Sequence, residues 1–201
     1  AGLAVKDKLQ GNVIEINSMD DLKELGIAAP SDDPKNDLLF GVPYYHINHF
    51  FSIQGDNGRL FIMFANCGAD WNAIDQMQHA AHGMINQLGV WTEQSLWKQT
   101  DPEAGTYSID LVADLQSKAS SLADENAPLS ILLNANSAVI ATSDEPVKKV
   151  ELAKIPTCIT NARFVTVLLS QGLDKDVSAM QLANPNLTPV GNIGAALGCV
   201  A

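Results

Sequence analysis

The sequence predicts an α/β fold in which a largely parallel or mixed central sheet is flanked by helices. Three mainly apolar runs have the length of buried strands, at residues 60–65, 129–133 and 164–169, and the first of them is continuous. Segments between and beside them carry apolar residues at three- and four-residue spacing, which is the period of an amphipathic helix. The chain has 201 residues, 46% of them hydrophobic and 17% charged, so it can bury the core of one large domain or two small ones.

The first predicted elements are short. Residues 13–16 show the apolar alternation of a short strand. Ser18 is a candidate N-cap for a helix over residues 19–25. Acidic residues in the first turn of that helix favour the positive end of its dipole, and Gly26 ends it. Residues 28–35 contain two prolines and predict a loop.

A longer helix is predicted over residues 36–53, and Pro43 either kinks it or marks its start. One apolar face is formed by residues at three-four spacing, namely Leu39, Val42, His46, His49, Phe50 and Ile53. A second apolar edge consists of Tyr44, Ile47 and Phe51. We therefore expect this helix to be buried on most sides.

The run at 60–65 predicts a central strand that is covered on both faces. Asp70 can cap a following helix over 71–87. The apolar stripe of that helix consists of Ile74, Met77, Ala81, Ile85 and Leu88. Residues 89–92 predict another strand.

The polar stretch 101–106 marks a boundary between two candidate lobes, about 11–100 and 106–201, of a single α/β unit. After it, Ser108 caps a predicted helix that ends near Asp124. The apolar side of this helix consists of Ile109, Val112, Leu115, Ala119 and Leu122. The remaining predicted elements are strands at 129–133, 138–141 and 164–169 and helices at 178–183 and 191–200.

Charge and cysteine content exclude several classes of function. Lys and Arg number 12 against 23 Asp and Glu, a formal net charge of −11, whereas nucleic acids and anionic membrane surfaces attract cationic proteins. No apolar run approaches the roughly 18 residues that span a bilayer. Three cysteines without CxxC spacing argue against a disulfide framework or a cysteine zinc site, and they fit a reducing compartment.

Common catalytic and cofactor signatures are also missing, since the sequence has no GxxxxGK[ST], GxGxxG, GxSxG or HExxH motif. The four histidines form two His-x-x-His pairs, His46/His49 and His79/His82, a spacing that can bring two imidazoles to one metal. The first pair lies in an apolar stripe and the second mostly outside one, and no acidic residue completes either pair. We therefore predict core and surface histidines, with no metal or cofactor site.

Cys67 is the candidate residue for an enzymatic alternative. It lies between a predicted strand and a helix start, where α/β enzymes hold a nucleophile and where the helix N-terminus lowers a thiol pKa. With His82 or His49 as base, it would define a cysteine-dependent α/β hydrolase. The other interpretation is a small buried hydrophobic residue, as free cysteines usually are. We favour the latter and predict no catalytic residue.

The last segment carries a packing signal. Gly191, Ala195 and Gly198 share one helical face with Gly194 beside them, and small residues let another backbone approach closely. The pattern stays apolar through Val200 without a stop signal. We therefore expect a fragment whose continuation packs elsewhere, for example on a neighbouring subunit.

Four segments resemble the contractile tail sheath proteins of phages and prophages, and more closely a Bacteroidetes-type branch of that family. They are residues 44–51, 59–64, 164–172 and 188–198, and the similarity runs in order from about Ile14 to Gly198. Members of this family usually have more chain at both ends, so the resemblance implies that terminal arms are missing here.

The resemblance implies a structural function without catalytic residues or cofactors. Sheath subunits assemble helically around a tail tube and shorten together to drive the tube into a cell. The implied partners are copies of the chain, the tail tube protein and baseplate components. The implied location is the virion tail, or the bacterial host cytoplasm during assembly. Terminal segments of such subunits add strands to the sheets of their neighbours.

Overall fold

The structure is a computed structural model, which describes residues 9–29, 41–55, 58–65, 71–92, 98–101, 106–108, 110–134, 163–168, 180 and 191–201. The strands in chain order are β1 (Val13–Ile16), β2 (Leu60–Met63), β3 (Gln87–Val90), β4 (Lys98–Asp101), β5 (Thr106–Ser108), β6 (Ser130–Asn134) and β7 (Val165–Leu168). The helices are α1 (Met19–Glu24), α2 (Gly41–Gln54), α3 (Asn72–Ala80), α4 (Asp110–Asp124) and α5 (Ile193–Val200). Some predicted positions are not among the residues that the structure describes, namely Leu39, Cys67, Asp70, Ile109, residues 138–141 and residues 178–183 except Met180.

The start of α1 confirms the capping predicted for Ser18. Its hydroxyl accepts a hydrogen bond from the Asp21 N–H at 3.2 Å, and the Asp21 carboxylate accepts one from the Ser18 N–H at 3.1 Å. This reciprocal pair is a capping box, which satisfies two backbone donors at the helix start. The chain leaves the helix through Gly26, whose φ of +81° favours glycine.

The strands form a mixed set of sheets, which confirms the broad α/β class. β3, β6 and β7 make a parallel three-stranded sheet with β6 in the middle. β1 pairs with β2 in an antiparallel arrangement, and β4 pairs with β5 in the same way. The pairing of β4 with β5 was missed, because the sequence around it reads as a polar break.

Two of the apolar clusters formed by the described residues hold these layers together. One lies between the parallel sheet and the helices α3 and α4, and its fully buried members include Leu115, Ile131 and Leu133. As predicted, α4 buries Val112, Leu115, Ala119 and Leu122. The other cluster joins α1 and α2 to the β1–β2 pair and includes Ile16, Leu22, Ile47, Phe50 and Phe51.

The helix predicted over residues 71–87 is too long. α3 ends at Ala80, because His82 and Gly83 have φ values of +53° and +73° and so turn the chain out of the helix. Gln78 then closes the turn, donating from Nε2 to the Ile85 carbonyl at 2.7 Å and accepting from the Ile85 N–H at 3.3 Å. The next strand, β3, consequently begins at Gln87 and not at residue 89.

The prediction that α2 is buried on most sides is confirmed, since Val42, Ile47, Phe50 and Phe51 are buried, whereas the prediction for β2 needs correction. The structure describes α2 from Gly41, and Pro43 lies in the first turn of this described part. Tyr45 and Ile47 are buried, whereas Ile53, placed in the apolar stripe, is 46% exposed. The helix is buried on most sides because α1 and the β1–β2 pair cover one side of it and α5 covers another. β2 is half-buried and, among the described strands, pairs with β1 alone, so it is not a central strand there.

Candidate functional site

The small residues of α5 lie where α2 approaches most closely. A Cβ atom at Gly194 would overlap the backbone carbonyl oxygen of His46. A Cβ at Gly198 would lie 3.0 Å from the Ile53 Cβ and 3.1 Å from the Phe50 carbonyl oxygen. The prediction that these glycines admit another backbone is therefore confirmed, and that backbone belongs to α2 of the same chain.

Polar contacts run along the same pair of helices. The Tyr45 hydroxyl donates to Oδ1 of Asn192 at 2.9 Å, and the Gly194 N–H donates to Nδ1 of His46 at 3.4 Å. Near the other end, Nε2 of Gln54 donates to the Gly198 carbonyl. Side chains of α2 therefore bind the backbone or the N-cap residue of α5 at both of its ends.

A cavity of about 1130 Å³ lies between the β2 and β3 regions of the chain. Residues 60–65 line one side and residues 84–92 line another, with contributions from α2, α3 and α5. β2 and β3 are not hydrogen-bonded to each other. An unpaired strand edge that borders a cavity can accept an extended segment as an additional strand.

Polar atoms in the wall of this cavity that are buried without a hydrogen-bond partner among the residues described include Oε1 of Gln87 and the indole Nε1 of Trp91. The Gln87 Nε2 is engaged, since it donates to the Val200 carbonyl at 2.7 Å. The wall is otherwise mainly apolar, so the cavity suits an apolar occupant that also offers one acceptor and one donor.

The rim of the cavity is ordered by an ion pair. Arg59 donates to both carboxylate oxygens of Glu15, from Nε at 2.6 Å and from its second terminal nitrogen at 3.1 Å. These hydrogen bonds, helped by the positive charge, hold the pKa of Glu15 below its usual value. The Arg59 guanidinium also lies 5.0 Å from the centre of the Phe61 ring.

The structure separates the two predicted histidine pairs by environment. His46 and His49 are half-buried on α2, and their rings lie 5.3 Å and 4.5 Å from the Tyr45 ring. His79 and His82 are exposed, and His82 lies beyond the end of α3. Within the described ranges, no three His, Cys, Asp or Glu side chains gather where they could hold a metal ion.

The hydrolase alternative depends on Cys67, which lies outside the described residues, so it stays a prediction. Cys199, the free cysteine that is described, is exposed near the end of α5. No described helix is long and apolar enough to cross a membrane.

Asn134 is a buried polar residue that the sequence reasoning missed. It ends β6, is fully buried, and neither amide atom has a hydrogen-bond partner in the part of the chain that is described. Its side chain lies against Gly191, where φ is +71° and a Cβ would overlap the amide. The available signal was a polar residue directly after the apolar run 129–133.

No protein-family model, curated protein or solved structure matches this chain. Its function is therefore inferred from its residues and their arrangement.

Proposed function

We propose that this chain is a structural subunit of a contractile tail sheath. It polymerises helically around a tail tube, and contraction of the polymer drives the tube into a cell. Its function consists of contacts with copies of itself, with the tube and with baseplate components, and no step of it requires catalysis.

The observation that carries this proposal is where the sheath-like segments lie in the fold. Residues 44–51 belong to α2, 59–64 contain β2, 164–168 contain β7 and 191–198 begin α5. Two of these segments are far apart in sequence and yet form one helix pair, as Tyr45 and Asn192, 147 positions apart, share a hydrogen bond. A similarity that arose by chance has no reason to fall on segments that pack together.

The open strand edges give a second line of support. β1–β2 and β4–β5 are two-stranded sheets in the described part of the chain, and such pairs are marginally stable in isolation. A strand supplied by a neighbouring subunit would extend such a pair. Repetition of one head-to-tail contact that does not close produces a helical filament, which is the symmetry of a sheath.

The net charge adds a measurable property to the proposal. Copies that each carry a formal charge of −11 repel one another at low ionic strength. At physiological salt concentrations the Debye length is about 8–10 Å, so repulsion between charges farther apart than this is largely screened. Assembly should therefore be favoured by added salt, provided that the subunit contacts themselves are mainly apolar or formed by backbone hydrogen bonds.

Electron microscopy of the protein, produced together with the tail tube protein that the proposal requires, tests the proposal. We expect tubes with a helical surface lattice, which form more readily at 0.5 M salt than at 0.05 M. This increase in salt shortens the Debye length by a factor on the order of three and so weakens the repulsion between copies. A sample without the tube protein controls for aggregation that lacks a lattice. Dispersed particles at both salt concentrations would refute the proposal, and ester hydrolysis lost in Cys67→Ser would support the hydrolase instead.

A further inference from the structure

Asn134 is a buried side chain whose hydrogen-bonding groups are unused. It ends β6, the middle strand of the parallel sheet, and neither Nδ2 nor Oδ1 has a hydrogen-bond partner in the part of the chain that is described. Gln78, another buried amide of the described residues, has partners for both of its polar atoms. Because a buried amide without partners forgoes the hydrogen bonds that water would provide, the Asn134 side chain makes the folded state less favourable.

The residue that covers this amide is Gly191, at the entry to α5. A Cβ atom at Gly191 would overlap the Asn134 amide, so the backbone of Gly191 lies directly against it. The φ of Gly191 is +71°, in the region that favours glycine, and the residue is itself buried. Water can therefore reach the amide when the segment that begins at Gly191 moves away from β6.

This segment depends on its docking for its structure. α5 has eight residues, of which two are glycines, and helices of that length are marginal on their own in water. It packs on α2, β3 and β6. Nε2 of Gln54 and Nε2 of Gln87 donate to carbonyls of its last turn, and the Tyr45 hydroxyl donates to its N-cap residue, Asn192. Movement away from these contacts would therefore unfold α5 as well as undock it.

We propose that residues 191–201 form a latch that opens by local unfolding while the rest of the described fold stays intact, and that Asn134 sets how readily it opens. In the closed state the amide is covered and unpaired, and in the open state it is hydrated. The side chain therefore favours opening, whereas an apolar side chain in its place would favour the closed state. Opening uncovers the surface of β3 at Gly89, which Ile193 and Leu197 cover in the closed state. This device belongs to the single chain and does not depend on the proposed function.

Native-state hydrogen exchange of the wild type tests whether the latch opens as a unit. The backbone amides of residues 196–201 should exchange through one common opening. The opening constant, which is the ratio of open to closed molecules, should be at least about tenfold larger than that of the amides of β6. The side-chain amide protons of Asn134 should exchange through the same opening. If residues 196–201 exchanged only as slowly as β6, the latch would be refuted.

Two substitutions test the role of Asn134. Asn134→Leu keeps the branched shape without polar atoms, and Asn134→Val is shorter and does not press on Gly191. Removal of the unpaired amide should lower the opening constant of α5 on the order of tenfold in at least one of them. Overpacking by leucine and a gap left by valine both act in the opposite direction, so poor packing cannot produce this result. An opening constant that is unchanged or higher in both variants would overturn the proposal.

Gln78→Leu is the matched control, because it removes a buried amide whose hydrogen bonds are both formed. It should raise the global unfolding constant in urea, while the opening constant of α5 stays unchanged. If Gln78→Leu lowered the opening constant as the Asn134 variants do, the effect would not be specific to Asn134, and the proposed role of that residue would fail.

Discussion

Replacing Gly194 by alanine should destabilise this protein, although the same change in an isolated helix stabilises it. Alanine is favoured over glycine in a helix interior by about 1 kcal/mol. In α5, however, the new methyl group would overlap the backbone carbonyl oxygen of His46. A backbone atom cannot rotate out of the way as the end of a flexible side chain can, so the two helices must separate.

The expected loss follows from three contributions. Overpacking of this kind costs about 1–3 kcal/mol, and the loss of the Gly194–His46 hydrogen bond costs about 1 kcal/mol more. The helix propensity of alanine returns about 1 kcal/mol. The net destabilisation is thus about 1–3 kcal/mol, which in a chain of this size lowers Tm by roughly 2–12 °C.

Gly198→Ala is the matched control, because it makes the same change one turn further along the same face. Its methyl group would lie 3.0 Å from the Ile53 Cβ and 3.1 Å from the Phe50 carbonyl, so shifts of a few tenths of an ångström accommodate it. The propensity gain of about 1 kcal/mol then nearly offsets the packing cost. We expect a net change within about 1 kcal/mol.

Urea and thermal unfolding of both variants, followed by circular dichroism, measure this difference. If Gly194→Ala were as stable as the wild type, the close approach of α2 and α5 at this point would be refuted. If both variants lost the same stability, the cost could not be assigned to the His46 carbonyl, and the reasoning from these distances would fail.

Three further predictions concern other parts of the chain. Gln78→Ala leaves the N–H and carbonyl of Ile85 without the partners they now have, so unfolding in urea should show a loss of about 2–4 kcal/mol, whereas an unchanged midpoint would contradict the role of Gln78 in the turn. Because Arg59 lowers the pKa of Glu15, their exposed ion pair stabilises the fold above the ordinary carboxylate pKa, and this stability is lost as the pH falls. Glu15→Gln should remove that part of the acid dependence, and the effect should be small and suppressed by salt. An effect that does not change with salt would count against the ion pair as its cause. Cys67 should react slowly with a thiol reagent at pH 7 in the folded protein, and a rate above that of a small free thiol would instead favour a nucleophile.

The elements that were predicted well from the sequence are those whose position and burial depend on one local physical signal. The stripe of α4 is buried at the predicted positions because a single sheet covers that helix on one side. β6 and β7 follow from short apolar runs, as expected of parallel strands that are covered by helices. The capping box at Ser18 is local, so four consecutive residues contain all the information that it needs.

The errors arise where the end of a helix or the burial of a side chain depends on features that apolar spacing within the element does not contain. The apolar spacing of α3 continues past its end, but the left-handed backbone at His82 and Gly83 stops the helix, and a non-glycine residue in that conformation gives no signal in a periodic pattern. Ile53 stays 46% exposed although its Cβ lies beside Gly198 of α5, almost 150 residues later in sequence, so spacing within α2 alone could not predict how much of this side chain is covered.

The helix α5 shows how packing can stabilise a helix that its own residues do not favour. It has eight residues, two of them glycines, and isolated helices shorter than about 12–15 residues are marginal in water. Its stability must therefore come from contact with α2 and with the sheet, and the same glycines that lower its propensity permit that contact. Because Gly194 lies at the closest approach of α5 to α2, Gly194→Ala should loosen the whole helix and not its first turn alone. Hydrogen exchange in that variant should accordingly accelerate at every amide of α5 by a similar factor, whereas acceleration confined to the first turn would show that contact with the sheet holds the rest.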